Sequence, residues 1–222
     1  MKKSQRRPAM RTKGRTKTRL PEPRPGWAEY KMALAVEVAS RCNCLKTHVG
    51  AILLHDDRIR AVGYNGTVEG YKDCFAGGCP RCKDKTIQRG EQLDRCVCVH
   101  AEENALVSAA RHGIKVEGSE CYVTHEPCLT CTRLLIQAHV AKVVYLVTYE
   151  YPDKTDQNTS RKRMRSVSRK HTGITFQDFM SAVPGPRRNS ARKLVEVWRE
   201  RLEKMKVDAE NYAVAAGVLK PD

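Results

Sequence analysis

Residues 100–105 read His-Ala-Glu-Glu-Asn-Ala, and residues 127–131 read Pro-Cys-Leu-Thr-Cys. Apolar residues at helical spacing follow His100, and a second helix is predicted to begin just after Cys128. Cys128 and Cys131 would then lie one turn apart at a helix N-terminus, where the helix dipole favours thiolate over thiol. Because a strand is predicted over 120–124, the two stretches indicate helices that begin at one edge of a sheet.

The flanking sequence extends these elements to a full α/β domain. A helix over 27–40 and a β-hairpin over 49–64 precede the first stretch. A buried parallel strand over 142–148, a basic helix over 160–173 and a last strand over 174–179 follow the second. The order α-β-β-α-β-α-β-α-β predicts an α/β fold, a three-layer α/β/α sandwich around a mixed sheet of about five strands.

Composition divides the chain into three parts. The first 26 residues contain ten Lys or Arg and one Glu, so 1–25 is predicted to be a disordered basic tail, with a nucleic-acid-binding arm as the alternative. Residues 26–183 are predicted to form the catalytic domain, which carries a cysteine-rich insertion at 66–99. Residues 184–222 are predicted to be a C-terminal helical extension whose apolar stripe covers either this domain or a neighbour.

The bulk composition limits the class of protein. The net charge of +16 favours anionic partners, and the hydrophobic content of 41% is enough for a sizeable core. The sequence lacks a run of 18 apolar residues and an apolar segment behind the basic start, so we expect no membrane span and no secretory signal. The ten cysteines are therefore interpreted as metal ligands in a reducing cytoplasm.

His100, Cys128 and Cys131 are the donor types that a catalytic zinc site uses, with the fourth position left for water. Glu102 lies two residues from the first ligand, close enough to exchange protons with that water without binding the metal. This pattern is the signature of zinc-dependent deaminases, which attack the carbon that carries an exocyclic amine. The alternative is a closed structural zinc site with one more thiolate and no chemistry.

Six short motifs appear in the order found in the deoxycytidylate (dCMP) deaminase family, which the chain resembles over about residues 27–179. The cysteine-rich insertion looks closest to bacterial and phage members, including the deaminases of competence operons. The motifs are Trp27-Ala28-Glu29-Tyr30, Val49-Gly50-Ala51, Gly63-Tyr64-Asn65-Gly66, His100-Ala101-Glu102-Glu103-Asn104-Ala105, Pro127-Cys128-x-x-Cys131 and Gly173-Ile174-Thr175-Phe176.

The resemblance implies zinc-dependent conversion of dCMP to dUMP, which feeds thymidylate synthesis. It implies homo-oligomers, hexamers or dimers, and regulation by the effectors dCTP and dTTP, with Mg²⁺ accompanying the allosteric nucleotide. The alternatives are a deaminase of dCTP, deoxycytidine, a modified pyrimidine or a base in single-stranded DNA or RNA. A catalytically silent zinc protein that binds nucleic acid through its tail is the alternative from another class.

Three residues are assigned to the substrate. By resemblance, Asn65 contacts the nucleotide sugar, although an Asn-Gly turn is its plain structural alternative. Arg41, at the end of the first helix, is assigned to the phosphate, with a solvated helix-terminal cation as the alternative. Tyr151 follows the last core strand at the edge where open α/β sheets bind ligands, and packing is equally consistent with it.

Seven further cysteines lie between the first helix and the catalytic helix. The spacing of Cys44, Cys74, Cys79 and Cys96 resembles that of bacterial relatives with a structural zinc, so a second zinc is predicted there. Cys82, Cys42 and Cys98 could replace members of this set, and unligated buried thiols are the remaining alternative.

Overall fold

The computed structural model describes residues 24–150 and 156–220, so Tyr151 and nearly all of the predicted basic tail lie outside the described residues. The helices are α1 (Trp27–Val38), α2 (Pro80–Lys83), α3 (Ala101–Arg111), α4 (Leu129–Gln137), α5 (Asp156–Thr172), α6 (Phe179–Ala182) and α7 (Arg188–Ala215). The strands are β1 (Gly50–His55), β2 (Arg58–Tyr64), β3 (Gly66–Thr67), β4 (Cys98–Val99), β5 (Glu120–His125), β6 (Lys142–Val147) and β7 (Thr175–Asp178).

Five strands form the central sheet in the order β2-β1-β5-β6-β7. The strand β1 pairs antiparallel with β2 and β5, whereas β5, β6 and β7 run parallel to one another. The short strands β3 and β4 pair separately within the cysteine-rich insertion. The predicted fold class, a mixed sheet of five strands between helices, is therefore confirmed.

Alternation along β1 places helices on both faces of the sheet. Ile52 and Leu54 are buried in one apolar cluster with residues of α1, α6 and α7. Ala51 and Leu53 are buried in the other with residues of α3 and α4. Since each fully buried Leu or Ile contributes about 1.5–3 kcal/mol relative to exposure, both faces must stay covered, which fixes the register of the strand.

Two glycines let helices lie directly against strands. A Cβ atom at Gly63 would stand 2.1 Å from the carbonyl oxygen of Ala101, and one at Gly50 would stand 2.1 Å from that of Ala35. These contacts join backbone to backbone, so a side chain cannot be accommodated by rotation. Gly63 therefore positions the first turn of α3, where His100 and Glu102 lie.

The long helix α7 covers its own domain. Trp198 is buried and meets the Phe179 ring edge to face at 5.4 Å between centroids, while Val197 is 57% exposed. Only some residues of the predicted apolar stripe of α7 therefore pack on the domain. Among the described residues, no helix combines the length and apolar character needed to cross a bilayer.

His139 follows the C-cap residue of α4 in the left-handed region, with φ of 54°, a conformation that glycine adopts without strain at a helix end. A non-glycine residue there is strained by about 1–2 kcal/mol, partly offset by the extra chain entropy that glycine loses on folding. We expect His139→Gly to raise the free energy of unfolding by about 0.5–1 kcal/mol, measured by urea denaturation. An Ala138→Gly variant, at a negative φ, should instead lose stability; the opposite order would contradict the cap assignment.

Candidate active site

The three side chains predicted to bind zinc meet where α3 and α4 begin. His100 is the N-cap of α3, and its backbone N–H donates to the Glu103 carboxylate at 2.9 Å. Cys128 is the N-cap of α4, and its sulfur accepts the backbone N–H of Cys131 at 3.4 Å. Because β5 ends just before α4, the first residues of α3 and α4 lie together at one edge of the sheet. The sequence placed these residues on two helix starts, and the structure brings them together.

The three donor atoms have the spacing that zinc requires. The Nδ1 atom of His100 lies 3.4 Å from the sulfur of Cys128 and 3.4 Å from that of Cys131. Tetrahedral zinc with Zn–S of about 2.3 Å and Zn–N of about 2.0–2.1 Å separates nitrogen from sulfur by about 3.6 Å. The donor set and its geometry therefore fit a zinc ion, and the three ligands leave one coordination position for substrate chemistry.

Glu102 is buried beside these ligands, with 5% of its surface exposed. Burial and then the nearby Cys128 thiolate raise the pKa of its carboxyl group, His100 opposes both, and the pKa that results is about 7. A carboxyl group whose pKa lies near neutrality can both accept and donate a proton under physiological conditions.

The candidate ligands shift one another's pKa values. The hydrogen bond with Cys131 lowers the pKa of Cys128 to about 4, assisted by His100. Burial disfavours the imidazolium form of His100, but contact with Cys128 outweighs burial and raises its pKa to about 10. This protein environment therefore favours the thiolate form of Cys128, whereas the hydrogen bond with Cys128 and then burial raise the pKa of Cys131.

An ionic network supports the loop that carries the cysteine ligands. The Glu126 carboxylate accepts from Arg165 at 2.6 Å and from the backbone N–H of Tyr149 at 2.9 Å, and Arg161 lies 3.7 Å away. Both arginines also donate to the carbonyl of Pro127, at 3.2 and 3.3 Å. The basic helix α5 thus fixes the backbone immediately before Cys128, a role that the sequence did not reveal.

A cavity opens over the candidate zinc ligands, and Asn65 lines it. The Asn65 side chain also accepts from the backbone N–H of Val49 and donates to the carbonyl of Thr47, both at 2.8 Å. It therefore holds the chain before β1 while it borders the cavity. Arg41 is exposed at the end of a 3₁₀ turn and does not line this cavity, so the structure does not bring the predicted phosphate residue to the site.

Sequence reasoning missed Arg89, which does line the cavity. Its guanidinium lies 5.4 Å from the centroid of the Tyr149 ring, which also borders the cavity. His125 faces the same space as a neutral imidazole, because burial and then Arg89 lower its pKa to about 3. Arg89 lies within the cysteine-rich insertion, and no local pattern distinguishes it from the other basic residues there.

The predicted structural zinc set does not converge on one point. Cys44 and Cys74 group with Cys82 and Cys98, whereas Cys79 and Cys96 group separately with the same two residues. Resemblance to the cysteine spacing of bacterial relatives favoured Cys79 and Cys96 as partners of Cys44 and Cys74. The actual grouping arises because α2 and β4 bring Cys82 and Cys98 between the two pairs.

Residues 25–147 match the family model "Cytidine and deoxycytidylate deaminase zinc-binding region". A deoxycytidylate deaminase of Saccharomyces cerevisiae is 40% identical over 156 residues, which cover 70% of this chain and 46% of that protein. A deoxycytidylate deaminase of Mycobacterium phage D29 is 37% identical over 126 residues, which cover 55% of this chain and 95% of that protein. The resemblance is therefore not confined to bacterial and phage members.

The crystal structure of the dCMP deaminase from cyanophage S-TIM5 superposes with a TM-score of 0.50 at 28% identity, covering 70% of this chain and 98% of that one. Fold, zinc-binding region and relatives agree, and the chain belongs to the cytidine and deoxycytidylate deaminase family. It spans less than half the length of the Saccharomyces cerevisiae relative.

Proposed function

We propose that this protein converts dCMP to dUMP and ammonia, and so supplies dUMP for thymidylate synthesis. The observation that carries the proposal is a buried Glu102 beside His100, Cys128 and Cys131, at the floor of a cavity that Arg89 also lines. The names of the relatives, both of them deoxycytidylate deaminases, support dCMP as the substrate.

In this mechanism His100, Cys128 and Cys131 hold the zinc ion. Bound zinc supplies Lewis acidity that lowers the pKa of a water molecule to about 7. Glu102 accepts a proton from the attacking water and passes it to N3 of the pyrimidine ring. Glu102 then takes the second proton of the same oxygen and delivers it to the amino group on C4, which leaves as ammonia. A carboxyl pKa near 7 suits both transfers.

Substrate recognition follows from the groups around the cavity. Asn65 has already committed one donor and one lone pair to the backbone, so it has one of each left for a sugar hydroxyl. Arg89 is a cation placed to bind the 5′-phosphate. Tyr149 is held by Arg161, which donates to its carbonyl at 2.6 Å, so it forms a fixed wall of the cavity.

Replacing Arg89 should weaken phosphate recognition specifically. We expect Arg89→Ala to raise KM for dCMP about 10-fold or more, because a charge-assisted bond to phosphate contributes about 1.5–3 kcal/mol, and to leave KM for deoxycytidine nearly unchanged. Steady-state ammonia release measures both. Arg95→Ala is the matched control, since Arg95 is exposed in the same insertion and does not line the cavity. An equal effect on both substrates would contradict the assignment.

The proposed substrate is tested by incubating the purified protein with dCMP, dCTP, deoxycytidine and single-stranded DNA and following ammonia release. We expect kcat/KM for dCMP to exceed the others by at least about 10-fold, since only dCMP combines the base with a monophosphate. Preference for DNA would instead identify a polynucleotide deaminase.

Deleting residues 1–25 tests the basic tail. Unchanged dCMP turnover with weakened DNA binding would make the tail an accessory segment.

We also propose that the protein forms homo-oligomers and that it acts in a reducing cytoplasm. Four large apolar side chains border one groove beside α3 and α4 and are between 39% and 54% exposed: Val68, Tyr71, Val107 and Leu134. Such a contiguous apolar surface is typical of subunit interfaces.

Regulation by dCTP and dTTP, with Mg²⁺ accompanying the bound triphosphate, remains a prediction. Light scattering measures the assembly, and assays with each effector with and without Mg²⁺ test the regulation.

A further inference from the structure

Six cysteine side chains gather in the insertion beneath α7, and together they are named the six-thiol cluster. They form two groups of four that share two members, and within each group the sulfur atoms all lie within 4.8 Å of one another. The groups are Cys44, Cys74, Cys82 and Cys98, and Cys79, Cys82, Cys96 and Cys98. Five of the six are buried, and Cys96 is partly exposed.

The sulfur separations match a zinc tetrahedron. The pairs Cys44–Cys82, Cys79–Cys96 and Cys82–Cys96 each stand 3.8 Å apart. With Zn–S of about 2.3 Å, the edge of a tetrahedral thiolate site is about 3.8 Å. The same separations are far longer than the disulfide bond of about 2.05 Å, and all ten cysteines of the chain, which all lie in its described parts, are free.

The pattern of contacts distinguishes shared from unshared thiols. The sulfur of Cys98 lies within 4.8 Å of the other three sulfurs in each group. The sulfur of Cys82 stands 3.8 Å from that of Cys44 in one group and 3.8 Å from that of Cys96 in the other. Two tetrahedral ions require eight ligand positions, which six thiolates can fill only if two of them bridge. A single ion would leave two thiols of the cluster as unligated cysteines, although they stand at ligand distance.

Neighbouring donors compensate the negative charge that thiolates would bring. Buried Arg81 donates to the sulfur of Cys82 at 3.7 Å. The backbone N–H of Leu45 donates to Cys74 at 3.4 Å, and that of Lys46 donates to Cys44 at 3.5 Å. Hydrogen bonds to the charged form favour thiolate over thiol. Six thiolates and two dications carry a net charge of −2, which an adjacent guanidinium reduces.

We propose that the six-thiol cluster binds two zinc ions that share bridging sulfurs. Cys82 and Cys98 bridge the ions, Cys44 and Cys74 complete one tetrahedron, and Cys79 and Cys96 complete the other. This binuclear site is separate from the proposed catalytic zinc, and its test does not depend on dCMP as the substrate.

The cluster has a structural consequence for the catalytic site and for α7. Cys98 lies two residues before His100, so a bridging ligand anchors the segment that delivers the first catalytic ligand. Ala213 of α7 and Val218 pack against the same cysteines, and Phe75 meets the Tyr212 ring at 5.1 Å. The two ions would therefore tie the insertion to both the start of α3 and the end of α7.

The zinc content of the full-length protein tests the proposal directly. After dialysis against a mild chelator, native mass spectrometry and elemental analysis should give three zinc ions per chain, two in the cluster and one catalytic. A count of two would overturn the binuclear site. Cys131→Ser should lower the count from three to two by emptying the catalytic site alone; a single remaining ion in that variant would also overturn it.

Single substitutions test which sulfurs are shared. Cys79→Ser should remove one cluster ion and leave the tetrahedron of Cys44, Cys74, Cys82 and Cys98 occupied, whereas Cys82→Ser should weaken both. Cys42→Ser is the matched control, because Cys42 lies nearby but donates to the Thr47 carbonyl at 3.6 Å and belongs to neither group. It should retain three ions. Loss of both cluster ions from Cys79→Ser with the fold intact would argue against two separate tetrahedra.

Discussion

Glu102→Gln is expected to reduce kcat for dCMP by about 10³-fold or more while the protein keeps its catalytic zinc. Glutamine fills the same buried volume beside the ligands but cannot accept the proton of the attacking water or deliver protons to N3 and the amine. General acid–base groups contribute about 10²–10⁴-fold, and one residue performs both roles here. Ammonia release under saturating substrate measures the loss, and elemental analysis measures zinc.

Glu103→Gln is the matched control for this result. The neighbouring Glu103 caps the backbone N–H of His100 at 2.9 Å, and a glutamine oxygen can accept the same bond. Most of the activity should therefore remain. If Glu102→Gln retained near-normal turnover with its zinc in place, Glu102 could not be the proton carrier proposed above.

Local sequence was sufficient to predict that the candidate catalytic residues lie together, because their geometry is local. Cys128 and Cys131 meet through one turn of a single helix, and His100 and Glu102 share the start of another. The sheet order only had to place two helix starts at one edge, and the predicted alternation of strands and helices already implied this arrangement. The fold was predictable for the same reason, since β1 and β2 form a hairpin between neighbouring residues and helices and strands alternate along the chain that follows.

The surroundings of the site depend on contacts between residues that are far apart in sequence, and no local sequence pattern indicates these contacts. Arg161 and Arg165 lie on a basic helix that, from sequence, could equally be a solvated surface, and only the folded chain brings them to Glu126. Arg89 reaches the cavity from an irregular loop. Arg41 was favoured for the phosphate by its position in the resemblance, yet its helix end faces solvent.

The cysteine ligands show the same limit of sequence spacing. Cys79 and Cys82 are separated by two residues, so spacing predicts only that one metal site should include them. Both do belong to one group in the structure, but Cys82 also stands 3.8 Å from Cys44 of the other group, whereas Cys79 stands beside Cys96 only within its own. Which thiols are shared is thus decided by how α2 and β4 meet, a contact between segments that are far apart in sequence.

The largest expected effect on stability follows from the network beneath the cysteine ligands. Glu126→Ala should lower the free energy of unfolding by about 3–5 kcal/mol, because removing one partner leaves buried charge without compensation. Glu126 has 9% of its side chain exposed and stands between two arginines whose side chains are 1% and 13% exposed. Denaturant unfolding of the zinc-loaded protein measures the change.

The same substitution should also reduce occupancy of the catalytic zinc, because both arginines hold the carbonyl of Pro127 immediately before Cys128. Glu203→Ala is the matched control. It breaks an exposed pair with Lys206 at 3.0 Å, and such pairs contribute at most about 1 kcal/mol. Equal destabilisation by the two variants would show that the Glu126 network does not support the loop. Introducing Arg165→Met into Glu126→Ala should recover part of the stability, because it removes the guanidinium that had lost its carboxylate partner.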